Sequence, residues 1–292
     1  MPGAGLRLRL RPDLRVRRGG HGRHRIHRIH RSDRSHRIHG GAGTGLGRLL
    51  LLNPTPVTNA SAGHPPLARP PLARRLLAEV LGGLLLAALV VGSGIAAQQL
   101  SPGQVGLQLV ENAAATAAGL YTIILMVGPV SGAHLNPVVT VVDAAFGGLP
   151  WRDAAAYLPA QAAGCCGGAI LANLMFDGPA VSISTHHRAS GAHLLAEVVA
   201  TAGLILLIFS LTRTARAERA PAAVGAYIGA AYWFTSSTSF ANPAISLGRM
   251  LSDTFAGIAP ASVPPFVAAQ VVGGLVGYCL VRVLYRPAPA GL

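Results

Sequence analysis

The residues in this sequence best placed to do chemistry are asparagines and glutamates, and both kinds come in pairs. Asn136-Pro137-Val138 and Asn242-Pro243-Ala244 each open a short apolar run, within GAHLNPVVTVVD and SFANPAISLGR. Asparagine is a strong helix N-cap because its side-chain oxygen accepts an orphan backbone N–H. Proline suits the first helical position, where its missing N–H is no loss. Each stretch therefore predicts a helix that starts abruptly at the asparagine. The cap uses the amide oxygen and leaves the amide nitrogen to donate into any lumen it faces. Glu79 and Glu197 form the second pair, each inside the pentapeptide LLAEV, at Leu76–Val80 and Leu194–Val198. Glu79 precedes Asn136 by 57 positions and Glu197 precedes Asn242 by 45. No nucleophile–base arrangement or metal-ligand spacing accompanies these residues, so neither an enzyme, a cofactor nor a metal site is expected.

The elements that must hold them are apolar. Of the 292 residues, 51% are hydrophobic and 12% are charged, a balance that points to a membrane protein. Six apolar segments, near 73–98, 106–128, 153–175, 191–212, 220–236 and 262–284, approach the ~20 residues a helix needs to span a bilayer. The two Asn-Pro runs follow the second and the fifth. At about 1.5 Å per residue they reach only halfway through a ~30 Å core. The order is three spans and one half-helix, twice. An odd number of spans per half forces the second half into the opposite membrane orientation, giving an inverted repeat. The fold class is thus all-α, with six transmembrane helices and two re-entrant half-helices. Small residues such as Gly82–Gly83, Gly164–Gly168 and Gly273–Gly274 let such helices pack closely in lipid. Cys165, Cys166 and Cys279 fall in apolar segments and read as small packing residues.

Charge divides the chain. Every basic residue is arginine, and sixteen of the 24 lie within residues 1–75 against only two acids. After residue 75, eight arginines face eight acids. Residues 1–70 are low in complexity, with HRIHRIHRSDRSHRIH at their centre, and are expected to be a disordered extension. That extension reads as a solvated tail or as sequence upstream of the true start, not as a nucleic-acid module. The run Leu46–Asn53 is too short for a signal-peptide core. Residues 71–286 form the expected membrane domain, with repeats at about 72–175 and 191–286, and 287–292 a short tail. Arg74, Arg75, Arg152, Arg213, Arg216, Arg219, Arg282 and Arg286 all fall on one side of a six-span topology, with Arg188 opposite. By the positive-inside tendency both termini should be cytoplasmic, in the cell's inner (plasma) membrane.

Over residues 72–286 the paired Asn-Pro motifs and the tandem LLAEV resemble the major intrinsic protein family, the aquaporins and aquaglyceroporins. The resemblance implies a passive channel for water and small uncharged solutes, assembled as a homotetramer with one pore per subunit. It implies that Glu79 and Glu197 accept hydrogen bonds from the re-entrant loops, and that His134 has a structural or lumen-edge role. One departure is sharp. Most members carry arginine directly after the second Asn-Pro-Ala, where this chain has Ile245. Arg249, four residues on, is expected to complement the helix C-terminus or pair with Asp253. Counting from the asparagines assigns the other constriction positions to Thr116, Ser239 and, on the fifth span, Ala230, with Gly229 and Tyr232 close by. These side chains imply a wider, uncharged filter than in water-selective members. The stretch FTSSTSFANPAISLGRMLSDTFAGIAP resembles bacterial channels linked to arsenic resistance, which pass arsenite as neutral As(OH)3. A water-selective aquaporin is the nearest alternative. An inverted-repeat secondary transporter would show an intramembrane ionisable cluster for coupling, absent beside the asparagines. A third alternative makes the Arg/His segment the functional part and the spans its anchor.

Overall fold

The computed structural model describes residues 69–285. The expected disordered extension lies almost wholly outside the described residues, as do Arg286 and the tail at 287–292.

The first half comprises α1 (Leu72–Leu100), α2 (Val105–Ser131), the half-helix α3 (Pro137–Ala145) and α4 (Trp151–Met175). The second half repeats the order with α5 (Gly191–Arg213), α6 (Ala220–Phe234), the half-helix α7 (Pro243–Arg249) and α8 (Val263–Leu284). Five of these helices, α1, α2, α4, α5 and α8, are long and apolar enough to cross a membrane. The fifth span is shorter than expected. α6 has 15 residues, about 22 Å of rise, with a 3-10 turn at Ala217–Arg219 in front of it. It ends at Phe234 because Thr235 turns extended and Ser237 is drawn to Glu197. The half-helices have nine and seven residues, roughly 14 and 10 Å.

The halves are built on matching close approaches. Gly164 and Gly168 of α4 leave no room for a Cβ against the backbone of Val80 and Leu84 in α1. Gly273 and Gly277 of α8 meet Val198 and the Ala202 carbonyl of α5 in the same way. Without a hydrophobic drive between helices in lipid, such backbone proximity is what packs them. Gly248 of α7 abuts the Cys165 backbone, which fixes the second half-helix against α4. Leucines and valines such as Leu77, Leu81, Leu85, Leu195, Val272 and Leu275 face outward, as lipid contact requires. Cys165 is buried in the core between the helices, and Cys279 lies on the outer face of α8.

Candidate functional site

Each asparagine caps its own half-helix. Val138 N–H donates to Asn136 Oδ1 at 2.9 Å, and Ala244 and Ile245 N–H donate to Asn242 Oδ1 at 2.9 and 3.3 Å. The nitrogens are not both left to the lumen, as the sequence suggested. Asn136 Nδ2 donates to the Ala241 carbonyl and Asn242 Nδ2 to the Leu135 carbonyl, each at 2.7 Å. The two loops are thereby tied together at their tips. An amide nitrogen carries two hydrogens, so each asparagine keeps one donor beyond this crossed pair. Pro137 and Pro243 occupy the first helical positions, and Val138 and Ala244 are buried behind the caps.

The glutamates hold the loops. Glu79 accepts from Ser131 Oγ (2.6 Å), His134 N–H (3.1 Å), Leu135 N–H (2.7 Å) and Gln161 Nε2 (2.7 Å). Glu197 accepts from Ser237 Oγ (2.6 Å), Phe240 N–H (2.9 Å), Ala241 N–H (2.8 Å) and Gln270 Nε2 (2.7 Å). Both carboxylates are fully buried, and four donors each are what such burial demands. Gln161 reaches on to Thr140 Oγ1 and Gln270 to Ser246 Oγ. Those hydroxyls return to the Asn136 and Asn242 carbonyls, closing two equivalent networks. The supporting serines and glutamines were not anticipated. Their signal was present in the repeat: each serine stands five before its asparagine, and each glutamine lies in Ala-Gln-x-x-Gly.

Turning the N–H groups to the glutamates requires unusual backbone. Ala133 and Leu135 have φ of 50° and 51°, and Ser239 and Ala241, at the same offsets, have 49° and 46°. Left-handed conformations cost non-glycine residues about 1–2 kcal/mol each, and the four-donor networks offset this. Among the described residues the carbonyls of Ala133, His134, Ser239 and Phe240 accept no hydrogen bond, and all four residues border one cavity.

That cavity has a volume of about 540 Å³. From the end shared by α5 and α6, at Thr212 and Pro221, it runs past both asparagines to Thr116, Tyr232 and Arg249. His134 lines it, with its ring 3.1 Å from Thr140 Oγ1 and 3.6 Å from Asp143. Of the expected constriction residues, Thr116, Ser239 and Ile245 border the cavity. Ala230 does not, and its side is exposed on the outer face of α6. Val224, Ile228 and Tyr232, four apart, form the luminal stripe of that helix, so a residue two from Tyr232 points away. The α6 residue that faces Thr116 across the cavity wall is Tyr232, whose hydroxyl lies 3.2 Å from Thr116 Oγ1. Counting back from Asn242 lands on the outward-facing Ala230, two residues before Tyr232 in the cavity wall. Arg249 stands in the last turn of α7, as expected, but it is buried, and Asp253, the alternative partner, is engaged elsewhere, by Thr185 N–H at 2.8 Å and by His186 at 3.8 Å.

No group of three His, Cys, Asp or Glu side chains among the described residues could hold a metal ion. What the cavity offers is the hydrogen-bond partners of the two loops on a largely apolar wall, with Asp143, Glu218 and Arg249 among its lining residues.

The family model described as Major intrinsic protein matches residues 67–251. Aquaglyceroporin AqpS of Rhizobium meliloti (strain 1021) is 48% identical over 204 residues, 70% of this chain and 87% of that one. The glycerol uptake facilitator protein of Bacillus subtilis (strain 168) is 31% identical over 56% of this chain and 66% of its own length. The crystal structure of the aquaglyceroporin from Plasmodium falciparum superposes with a TM-score of 0.56 at 19% identity. It covers 73% of this chain and 96% of that one, a likeness of fold.

Proposed function

The chain belongs to the major intrinsic protein family, and on that premise we propose that it is a passive channel for water and small uncharged solutes, polyols such as glycerol among them. It is a multi-pass membrane channel and not an enzyme. The observation that carries the reading is the crossed asparagine pair, Asn136 to Ala241 and Asn242 to Leu135, set in the wall of one cavity. A solute crossing there meets a remaining amide N–H from each asparagine and the unpaired carbonyls of both loops. These replace part of the hydration it sheds, at modest net cost because polar partners are exchanged for polar partners. The two half-helix N-termini meet at the same place, and their dipoles disfavour cations.

The glycerol-sized class is supported by the relatives, one named an aquaglyceroporin and one a glycerol uptake facilitator. Arsenite as neutral As(OH)3 is the further solute we propose, since it presents hydroxyls to the same donors and acceptors without charge. Tyr232 is the one observation that favours a narrower, water-selective pore, because its ring occupies the α6 position of the constriction. We place Asn136, Pro137, Val138, Asn242, Pro243 and Ala244 as the pore motifs, Thr116, Tyr232, Ser239 and Ile245 at the constriction, and Glu79, Glu197 and His134 as loop supports. The assembly is a homotetramer in the inner membrane with both termini cytoplasmic, the orientation the arginine distribution supports.

Stopped-flow permeability of proteoliposomes to water, glycerol and arsenite, measured side by side, tests this. Water and glycerol fluxes well above those of empty vesicles are expected. A water flux alone selects the water-selective reading, and no flux for any of the three overturns the proposal.

A further inference from the structure

We propose that Arg249 supplies the fixed positive charge and the paired donors of the constriction, one helical turn beyond Ile245. The inference rests on the channel reading above. Ile245 makes the first turn of α7 apolar, so no charge stands beside Asn242 at that level. Arg249 is i+4 from Ile245 on the same face, and both border the cavity. It is 2% exposed, yet no carboxylate lies within ion-pair distance of it among the described residues. Its guanidinium stacks on the Phe240 ring, 3.5 Å from the centroid, and its Nε donates to the Ala256 carbonyl. These two contacts fix the plane of the fork. The terminal nitrogens make no hydrogen bond among the described residues. They are not among the fully buried unpartnered atoms either, and Arg249 is one of the residues that line the cavity.

Arg188 provides the contrast. It stands 5.5 Å from the same ring, but it gives Nε to the Gly257 carbonyl and Nη2 to that of Phe255, and it does not line the cavity. One arginine is consumed in holding the loop and the other is aimed at the lumen. Ser239, in the same wall, holds a buried hydroxyl with no partner among the described residues. A buried guanidinium without a carboxylate is costly and persists where something takes its donors. A neutral solute bearing hydroxyl oxygens does so, and a cation is repelled.

The test uses full-length protein in proteoliposomes with two variants. Arg249→Gln removes the charge and the fork, and Arg249→Lys keeps the charge and loses the fork. Oligomer elution checks folding, and fluxes are normalised to water. For Arg249→Gln, potassium conductance in planar bilayers should rise about tenfold over wild type. For Arg249→Lys, conductance should stay near wild type while the ratio of glycerol to water permeability falls several-fold. An oligomeric Arg249→Gln with wild-type conductance overturns the proposal, as does Arg249→Lys leaking as much as Gln. If Arg249→Gln yields no oligomer, Arg249→Lys alone decides: an unchanged glycerol-to-water ratio overturns the proposal. Failure of the channel reading itself would show separately, as no water or glycerol flux through the wild type.

Discussion

At the scale of single residues, the proposed solute range turns on which α6 side chain stands in the cavity wall. Tyr232 faces the cavity and Ala230 faces out, so the two make opposite predictions. Tyr232→Ala should raise glycerol permeability relative to water, because a ring is removed and its bond to Thr116 with it. Ala230→Leu should leave that ratio where it was. Stopped-flow shrinkage and reswelling on the two variants checks this. The supporting glutamates make a prediction of stability. Glu197→Ala leaves two loop N–H groups, Ser237 and Gln270 without their acceptor in a buried site. Each unsatisfied buried donor costs about 1–3 kcal/mol. The variant oligomer should melt well below wild type in detergent. Glu197→Gln, which keeps one acceptor oxygen, should fall between them.

At the scale of elements, the half-helices work only because long helices approach closely enough to hold them. Gly168 meets the Leu84 carbonyl with no space for a side chain, and Gly277 meets α5 likewise. Gly168→Val must push α1 and α4 apart, and overpacking of this kind costs about 1–3 kcal/mol or more. It should lower oligomer yield and thermal stability, read by size-exclusion chromatography after heating. It should also lower all fluxes together without changing their ratios, since α4 carries Gln161, and Gln161 holds Glu79. A selectivity change without loss of stability would contradict that chain of support.

At the scale of the molecule, charge and structure separate. The segment rich in arginine carries the basic balance, and the rest of the chain is near neutral. The start of the membrane domain is anchored from within. Arg69 donates to the Gly148 carbonyl, and Arg75 to the Pro70 carbonyl and to Asp153 at 2.7 Å. A deletion of residues 1–65 keeps these bonds, so transport and the oligomer should both survive it. Loss of flux in the truncated protein would show that the extension takes part in conduction or assembly.

The sequence by itself determined the elements and their order. Paired Asn-Pro caps, tandem LLAEV and six apolar runs are local or periodic features, and a helix start, an apolar stripe and a repeat are written in neighbouring residues. It also marked Glu79 and Glu197, since a carboxyl group in an apolar run must find donors. What only the tertiary structure decided are the meetings of distant residues. That Asn136 bonds to Ala241, that Gln161 and Gln270 complete the glutamate networks, and that Arg249 turns to the cavity instead of Asp253 all depend on contacts between separate elements. The choice of Tyr232 over Ala230 depends on which face of α6 lines the cavity, and Gly225 and Gly229 fix that by packing another face on Ala117 of α2. Periodicity tells which residues share a face. Which face becomes the lumen is settled by what packs against the other side.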